Sequence, residues 1–416
     1  MAICFFNQNY DEDYRCKYCM KDDDIVRVEI EYDIGKEIEK NGVRVISVNT
    51  IYKDRDILVV DSENHRYLLL KSAYYVGSSS KYGTYDDGEC VSFESSTYME
   101  ADSADSLMKL PPRPKVNRIR IYSSDVATYL RHPSVNLLTS DNEISIIVSR
   151  ENYEKVVELN KNNIRRIVIS DDCSCTYNSR DFHVHVDGFI GIDLRKRVGY
   201  EDVFGFVYEI VIFMQLYHPG KFLIDKVVVE VDGILYRYST SFRTPKYNER
   251  PVEYSCEMDL SDFLYRCYNS IPYRNGKSEI RNIPYIVMKS YRGIEDNFLM
   301  YYRFIECFYK KQNIKNAFMM RCITDHCLSL KKKEMECWEN DALEIVNLRN
   351  HYVHTGYYIK NGCLKIYLKG EKKPKYTINV DYNYIYEKTK MLYLMVIDII
   401  FKDMLGIDNY KYKKLM

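Results

Sequence analysis

The run LRNHYVHTGY, Leu348 to Tyr357, sets an arginine, an asparagine and two histidines into a stretch that otherwise has the apolar spacing of a buried helix. These residue types do related chemistry. A guanidinium is a planar, permanently charged fork that grips two phosphate oxygens at once. An imidazole gives and takes protons near neutrality. On one helix, Arg349 and His354 diverge by about 140° with about 7.5 Å of rise, so a single rigid helix does not aim both at one phosphate. Either the helix ends between them, or a second copy brings its own pair to the same cleft, as a two-fold interface would. Asn350 and His354 are four apart and share a side, so the amide can orient the imidazole.

This set suits RNA, which carries its own nucleophile, the ribose 2′-hydroxyl. Deprotonating that hydroxyl, protonating the leaving 5′-oxygen and stabilising the crowded phosphate are within reach of arginine and histidine, with no metal and no cofactor. A structural reading competes with this one. Arginine stems pack while their heads reach water, and histidines near a helix end favour its dipole. Against it, a core would more readily use apolar residues at these positions.

Other ligand patterns are weaker. His351 and His354, three apart, lack an acidic residue at matching spacing. Cys16 with Cys19 and Cys173 with Cys175 lie too far apart in the chain for a compact zinc motif, and the second pair is tightly spaced. Thirteen cysteines in all, without a disulfide rhythm, read as free thiols of a reducing compartment. His183 and His185, two apart on an expected strand, read as one strand face. No glycine-rich nucleotide loop is present.

The elements that must position Arg349 and His354 lie in the last third of the chain. Residues 281–416 read as a helical bundle. One helix spans 291–311, a second runs through NAFMMRCITDHCLSL, and a third, EMECWENDALEIVNLRNHYVH, stops near Gly356. A hairpin, CLKIYL and KYTINV across GEKKPK, precedes a last helix. Residues 1–110 read as strands, with IVRVEIEY alternating cleanly and VGSSSKYGTYDDGEC as a loop. Residues 116–275 read as mixed α/β. They include a helix over SRENYEKVVELNKN capped by Ser149, another over 201–217, and several strands. The expected class is α+β: a strand-rich, mixed or sandwich-like N-terminal region and a C-terminal all-α bundle.

Composition fits a soluble globular protein, with 46% hydrophobic and 29% charged residues. No 18-residue apolar window and no secretion signal stand out, so a cytoplasmic location without membrane attachment is expected. The net charge of zero hides a split. Residues 281–416 carry 24 Lys+Arg against 15 Asp+Glu, which leaves 36 against 45 in residues 1–280. A basic part beside an acidic one points to a polyanion partner for the basic part.

Arg349-Asn350-His351-Tyr352-Val353-His354 matches the signature of HEPN ribonucleases, an arginine and a histidine separated by four residues, the first of them polar. The longer run ALEIVNLRNHYVHTGY resembles the ApeA-like branch, in which a large strand-rich region precedes a C-terminal HEPN bundle in anti-phage defence proteins. The resemblance implies a homodimer with a composite cleft, metal-independent endonucleolytic cleavage of RNA and abortive infection. It implies that Arg349 binds the scissile phosphate, His354 is the acid/base and Asn350 positions it. His351, Tyr357 and Glu306, the last from the first bundle helix, are expected near the substrate. One departure stands out. Toxins of this superfamily silenced by adenylylation carry a tyrosine two residues after the histidine, whereas here Thr355 and Gly356 follow and the tyrosine comes one later, at Tyr357. The N-terminal region would sense a trigger such as a phage component. The alternative is a non-catalytic RNA-binding or scaffold protein that uses the same basic bundle.

Overall fold

The computed structural model describes residues 2–6, 9–20, 25–32, 38–40, 43–45, 55–80, 89–111, 113–127, 134–140, 143–149, 154–161, 163–177, 182–218, 222–240, 253–270, 293–313, 317–326, 335–356, 362–408 and 410–413. The chain is α+β, strand-rich in its N-terminal part and helical towards its C-terminus. It divides into two compact units: Met1–Glu209 with Leu223–Thr244, and Ile210–Phe222 with Pro245–Met416.

In the first unit, period-two alternation makes the strands. They begin with β1 (Ala2–Phe6), β2 (Asn9–Met20), β3 (Val26–Tyr32), the short pair β4 (Ile38–Lys40) and β5 (Val43–Val45), β6 (Arg55–Asp61), β7 (Arg66–Ser80), β8 (Glu89–Ser95) and β9 (Thr97–Ala101). In β3, Val26, Val28 and Ile30 are fully buried and alternate with Arg27 and Glu29, which are not. Strands β1, β2, β3, β8, β7 and β6 pair in sequence, and β6 pairs back to β1. The six therefore close into a ring, which removes exposed sheet edges. Side chains of Cys4, Val28, Ile30, Ile57, Val59, Leu68, Leu70 and Phe93 belong to its apolar core. Strand β7 changes partner along its length: Tyr67–Leu70 pair with β9, and from Tyr74 onward the strand pairs with β8. Between these stretches Ser72 takes φ 49°, the left-handed conformation that lets the strand turn.

From β9 the sheet continues through β10 (Lys115–Tyr122), β13 (Lys155–Lys161), β14 (Ile164–Tyr177), β15 (Phe182–Gly199), β16 (Lys226–Val231) and β17 (Ile234–Thr240), in the spatial order β9-β17-β16-β10-β15-β14-β13. Strands β11 (Ser134–Ser140) and β12 (Glu143–Ser149) form a separate hairpin. Every described pairing is antiparallel. Helices α1 (Ala104–Met108) and α2 (Ser124–Ala127) are short, and α3 (Val203–Tyr217) begins in this unit and ends in the other.

Two segments differ from the sequence reading. Of the helix expected over SRENYEKVVELNKN, Lys155–Lys161 are instead β13, paired with β14, Ser149 ends β12, and residues 150–153 and 162 lie outside the described residues. Val157 and Leu159 are buried while Glu158 is exposed, so alternation outweighs helical spacing there. Of the expected loop VGSSSKYGTYDDGEC, Val76–Ser80 extend β7 and Glu89 opens β8, while residues 81–88 lie outside the described residues. The proline-rich passage at 109–115 does not separate two sheets, because β9 before it and β17 after it are hydrogen-bonded neighbours.

The second unit holds α4 (Leu260–Asn269), α5 (Ile294–Lys311), α6 (Phe318–His326), α7 (Met335–Thr355) and α8 (Tyr382–Asp398), the last running into a π-helical turn at Ile399–Met404. Strands β18 (Glu253–Cys256) and β21 (Tyr410–Lys413) pair with each other, as do β19 (Cys363–Ile366) and β20 (Tyr376–Asn379). Helix α5 buries Phe298, Tyr301, Tyr302, Ile305 and Tyr309 at three- and four-residue intervals. Their rings meet Tyr352 of α7, Phe318 of α6 and Tyr393 of α8 at centroid distances of 5.7, 5.6 and 5.3 Å. The side chain of Asp381 caps α8 by accepting from the Tyr384 amide at 2.8 Å. Among the described residues, no helix is long and apolar enough to cross a membrane.

Candidate functional site

Helix α7 packs through Ala342, Ile345, Leu348 and Tyr352, all buried. Arg349 follows Leu348 and sits at the edge of this buried stripe, half-buried. The helix does not end between Arg349 and His354. It runs unbroken to Thr355, and Gly356 then takes φ 74°, the left-handed conformation that ends a helix most cheaply at glycine. The divergence of the two side chains on one helix is therefore real within a single copy. The Thr355 hydroxyl donates to the His351 carbonyl at 2.7 Å and closes the last turn.

Two interactions hold the Arg349 guanidinium. It lies over the Tyr302 ring of α5, 5.6 Å from the centroid, and Nη1 donates to Asn350 Oδ1 at 3.0 Å. The observed partner of the Asn350 amide is thus Arg349, not the His354 imidazole for which the four-residue spacing argued. Tyr302 is the residue the sequence did not single out. It lies one helical turn before Glu306, and that spacing was its only signal. Burial pushes its phenol up to about 12, the Glu306 carboxylate adds to the rise, and the Arg349 charge opposes it. Glu306 and Arg349 therefore act on the same ring from two helices, and Glu306 is itself paired with Lys310 at 2.9 Å. Stacking and charge together fix where the guanidinium points.

His354 is exposed on the last turn of α7, and His351 is half-buried with its ring 6.3 Å from that of Tyr352. Tyr352 is buried, and burial first, then Glu295, raises its phenol. Val353, between the histidines, is 53% exposed, which is unusual for a large apolar side chain on a packed helix. Tyr357 lies outside the described residues. The side chains of His183, His185, Cys173 and Cys175 also lie outside them, while Cys16 is buried in the ring core and Cys19 is exposed.

The N-terminal half of α7 carries a different arrangement. Lys388 of α8 is buried and donates to Asp341 Oδ1 and Glu344 Oε2, each at 2.6 Å. Glu344 also accepts from the Tyr384 hydroxyl at 2.7 Å and the Tyr376 hydroxyl at 3.2 Å. One ammonium is shared by two carboxylates and the tyrosine hydroxyls hold the remaining negative charge, so this knot fastens α7 to α8 and to β20. The other end of α7 differs: a positive fork held by a ring and an amide and, about 140° round the same helix, the exposed imidazole of His354.

Compared with known proteins, the chain matches no family model, no curated protein and no solved structure.

Proposed function

We propose that the chain is a HEPN-type endoribonuclease that cleaves RNA without a metal, through a cleft shared by two copies. Arg349, steered by Tyr302 and Asn350, grips the scissile phosphate. His354 of the other copy moves protons. The 2′-hydroxyl loses its proton to an imidazole and attacks the adjacent phosphorus, and the 5′-oxygen leaves as a hydroxyl after protonation. A 2′,3′-cyclic phosphate remains, so atoms and charges balance with no further reagent. One observation supports this reading above the others: the guanidinium is held by a ring and an amide on the same unbroken helix that carries an exposed histidine.

The second copy belongs to this reading because, on an unbroken α7, positions 349 and 354 of one chain lie about 140° apart. The exposed Val353 lies between the residues that such a copy would bring together. The opposed charges of residues 1–280 and 281–416 support control by the strand-rich unit, released by a phage-derived trigger during infection. Extract from infected cells is expected to raise the cleavage rate of the full chain; an unchanged rate would remove that element.

The test of the activity is incubation with total RNA in excess chelator. Cleavage retained in the chelator, lost in His354→Ala and kept in His351→Ala supports the enzyme. Binding without cleavage by the unaltered chain would leave a non-catalytic RNA-binding scaffold.

A further inference from the structure

The β19–β20 hairpin has two faces of opposite character. Leu364 and Ile366 are buried, whereas Lys365, Tyr367, Lys369, Lys372, Lys373 and Lys375 are exposed. Five lysines against the single carboxylate of Glu371 make this a concentrated positive surface. A lysine run is most often only a solvated face, and two further observations separate this one from that reading.

The first is order. The connecting segment is held by its own backbone: Glu371 N–H donates to the Leu368 carbonyl at 3.0 Å and Lys375 N–H to the Ile366 carbonyl at 2.7 Å. Gly370 supplies the positive φ, 86°, that this turn needs. The lysines thus leave a fixed scaffold, which lowers the ordering cost of gripping a ligand.

The second is placement. The side chain of Asn347 reads the backbone of Tyr367 as a neighbouring strand would. Its Oδ1 accepts from Tyr367 N–H at 3.0 Å, and its Nδ2 donates to the Tyr367 carbonyl at 3.0 Å. Tyr376 on β20 adds its bond to Glu344. The hairpin is therefore keyed to α7 at positions 344 and 347. Along a helix, 344, 347, 351 and 354 form one side, with His354 about 10 Å of rise beyond Asn347 and rotated from it by only about 20°. The basic hairpin and the imidazoles share one side of α7. Aromatic rings accompany the lysines: Tyr367 is 36% exposed, and Lys375 Nζ lies 5.9 Å from the Tyr376 ring centroid. Cations interleaved with rings suit an unpaired polynucleotide, whose backbone carries the charge and whose bases stack.

We infer that the β19–β20 hairpin is a docking arm for single-stranded RNA, holding the strand to one side of the scissile linkage and leading it along α7 towards His354. The inference rests on the ribonuclease reading for its last step alone; the binding surface stands without it.

The test uses the full chain and a fluorescein-labelled single-stranded RNA, with binding read by anisotropy at several salt concentrations. Cleavage is silenced by His354→Ala for the binding arm only. Replacing Lys365, Lys369, Lys372, Lys373 and Lys375 by glutamine is expected to weaken binding at least tenfold. It should also flatten the dependence of log K on log salt by about 3, since each phosphate neutralised on a single strand adds about 0.7 to the slope. The same five positions changed to arginine should restore both. In chains with His354 intact, the glutamine variant should raise KM with little change in kcat. Unchanged affinity and salt slope would overturn the docking arm even if the chain cleaves RNA. Hairpin-dependent binding by a chain that cuts nothing would keep the arm and defeat the ribonuclease reading. Hairpin-dependent binding of polyglutamate with none of RNA would overturn the arm in favour of an acidic protein partner.

Discussion

The two halves of helix α7 treat charge in opposite ways. Towards its N-terminus, Asp341 and Glu344 are drawn inward and share the Lys388 ammonium, with two tyrosine hydroxyls completing the network. Towards its C-terminus, Arg349 is steadied by a ring and an amide, while His354 faces solvent. Both regions combine charged and aromatic groups, yet of the two only the second leaves an imidazole exposed to solvent. A buried charge held by a counter-charge and hydrogen bonds is a fastening, whereas a charge that is oriented but exposed is available for chemistry.

That contrast can be broken in four places. The largest effect is expected from His354→Ala, which should lower cleavage by about 10²–10⁴-fold with no change in melting temperature, because an exposed general acid/base contributes that much and no packing. The second is Lys388→Met. It strands the buried Asp341 and the half-buried Glu344 and should cost about 3–5 kcal/mol, measured by denaturant unfolding. Adding Asp341→Asn and Glu344→Gln to it should recover most of the loss, since the pair's worth lies in mutual compensation. If Lys388→Met instead abolished cleavage at unchanged stability, the knot would belong to the site.

Asn350→Ala comes next. It frees the guanidinium to leave its angle, and a cleavage loss of about tenfold is expected, equivalent to about 1.4 kcal/mol, with Asn350→Asp retaining more activity than alanine. A loss as large as that of His354→Ala would mean that Asn350 acts on the imidazole after all.

The smallest effect is alkaline. Burial raises the phenols of Tyr302 and Tyr376 to about 12, and those of Tyr309, Tyr352 and Tyr384 also rise. Between pH 10 and 12 the unfolded chain therefore loses phenolic protons that the folded chain keeps, and stability falls as pH rises. Below pH 10 this contribution is fully present. Tyr302→Phe should make that decline slightly less steep in pH-dependent thermal melts; an identical slope would place Tyr302 in contact with solvent.

Much of this architecture was legible in the residues. The helices of the second unit follow from three- and four-residue spacing, and IVRVEIEY forms a strand as its alternation requires. The segment around Val157 and Leu159 reads as a helix in isolation because a short run supports both periods, and only pairing with β14 decides between them. Closure of the six-strand ring depends on β7 changing partner at Ser72, which no local pattern announces. At the site, Arg349, Asn350 and His354 could be found by type and spacing. The Tyr302 ring beneath Arg349 and the 47-residue reach from Lys388 to Asp341 are products of packing, and a linear sequence carries no mark of them.

The central claim is that guanidinium and imidazole act across two copies. Arg349→Ala and His354→Ala chains, each inactive alone, are mixed under conditions that allow subunit exchange, and RNA cleavage is followed. A mixed pair retains one arginine and one histidine on opposite copies, so cleavage should return to a substantial fraction of the unaltered rate. Two inactive proteins that remain inactive after exchange, with mixed dimers shown to have formed, would contradict the account.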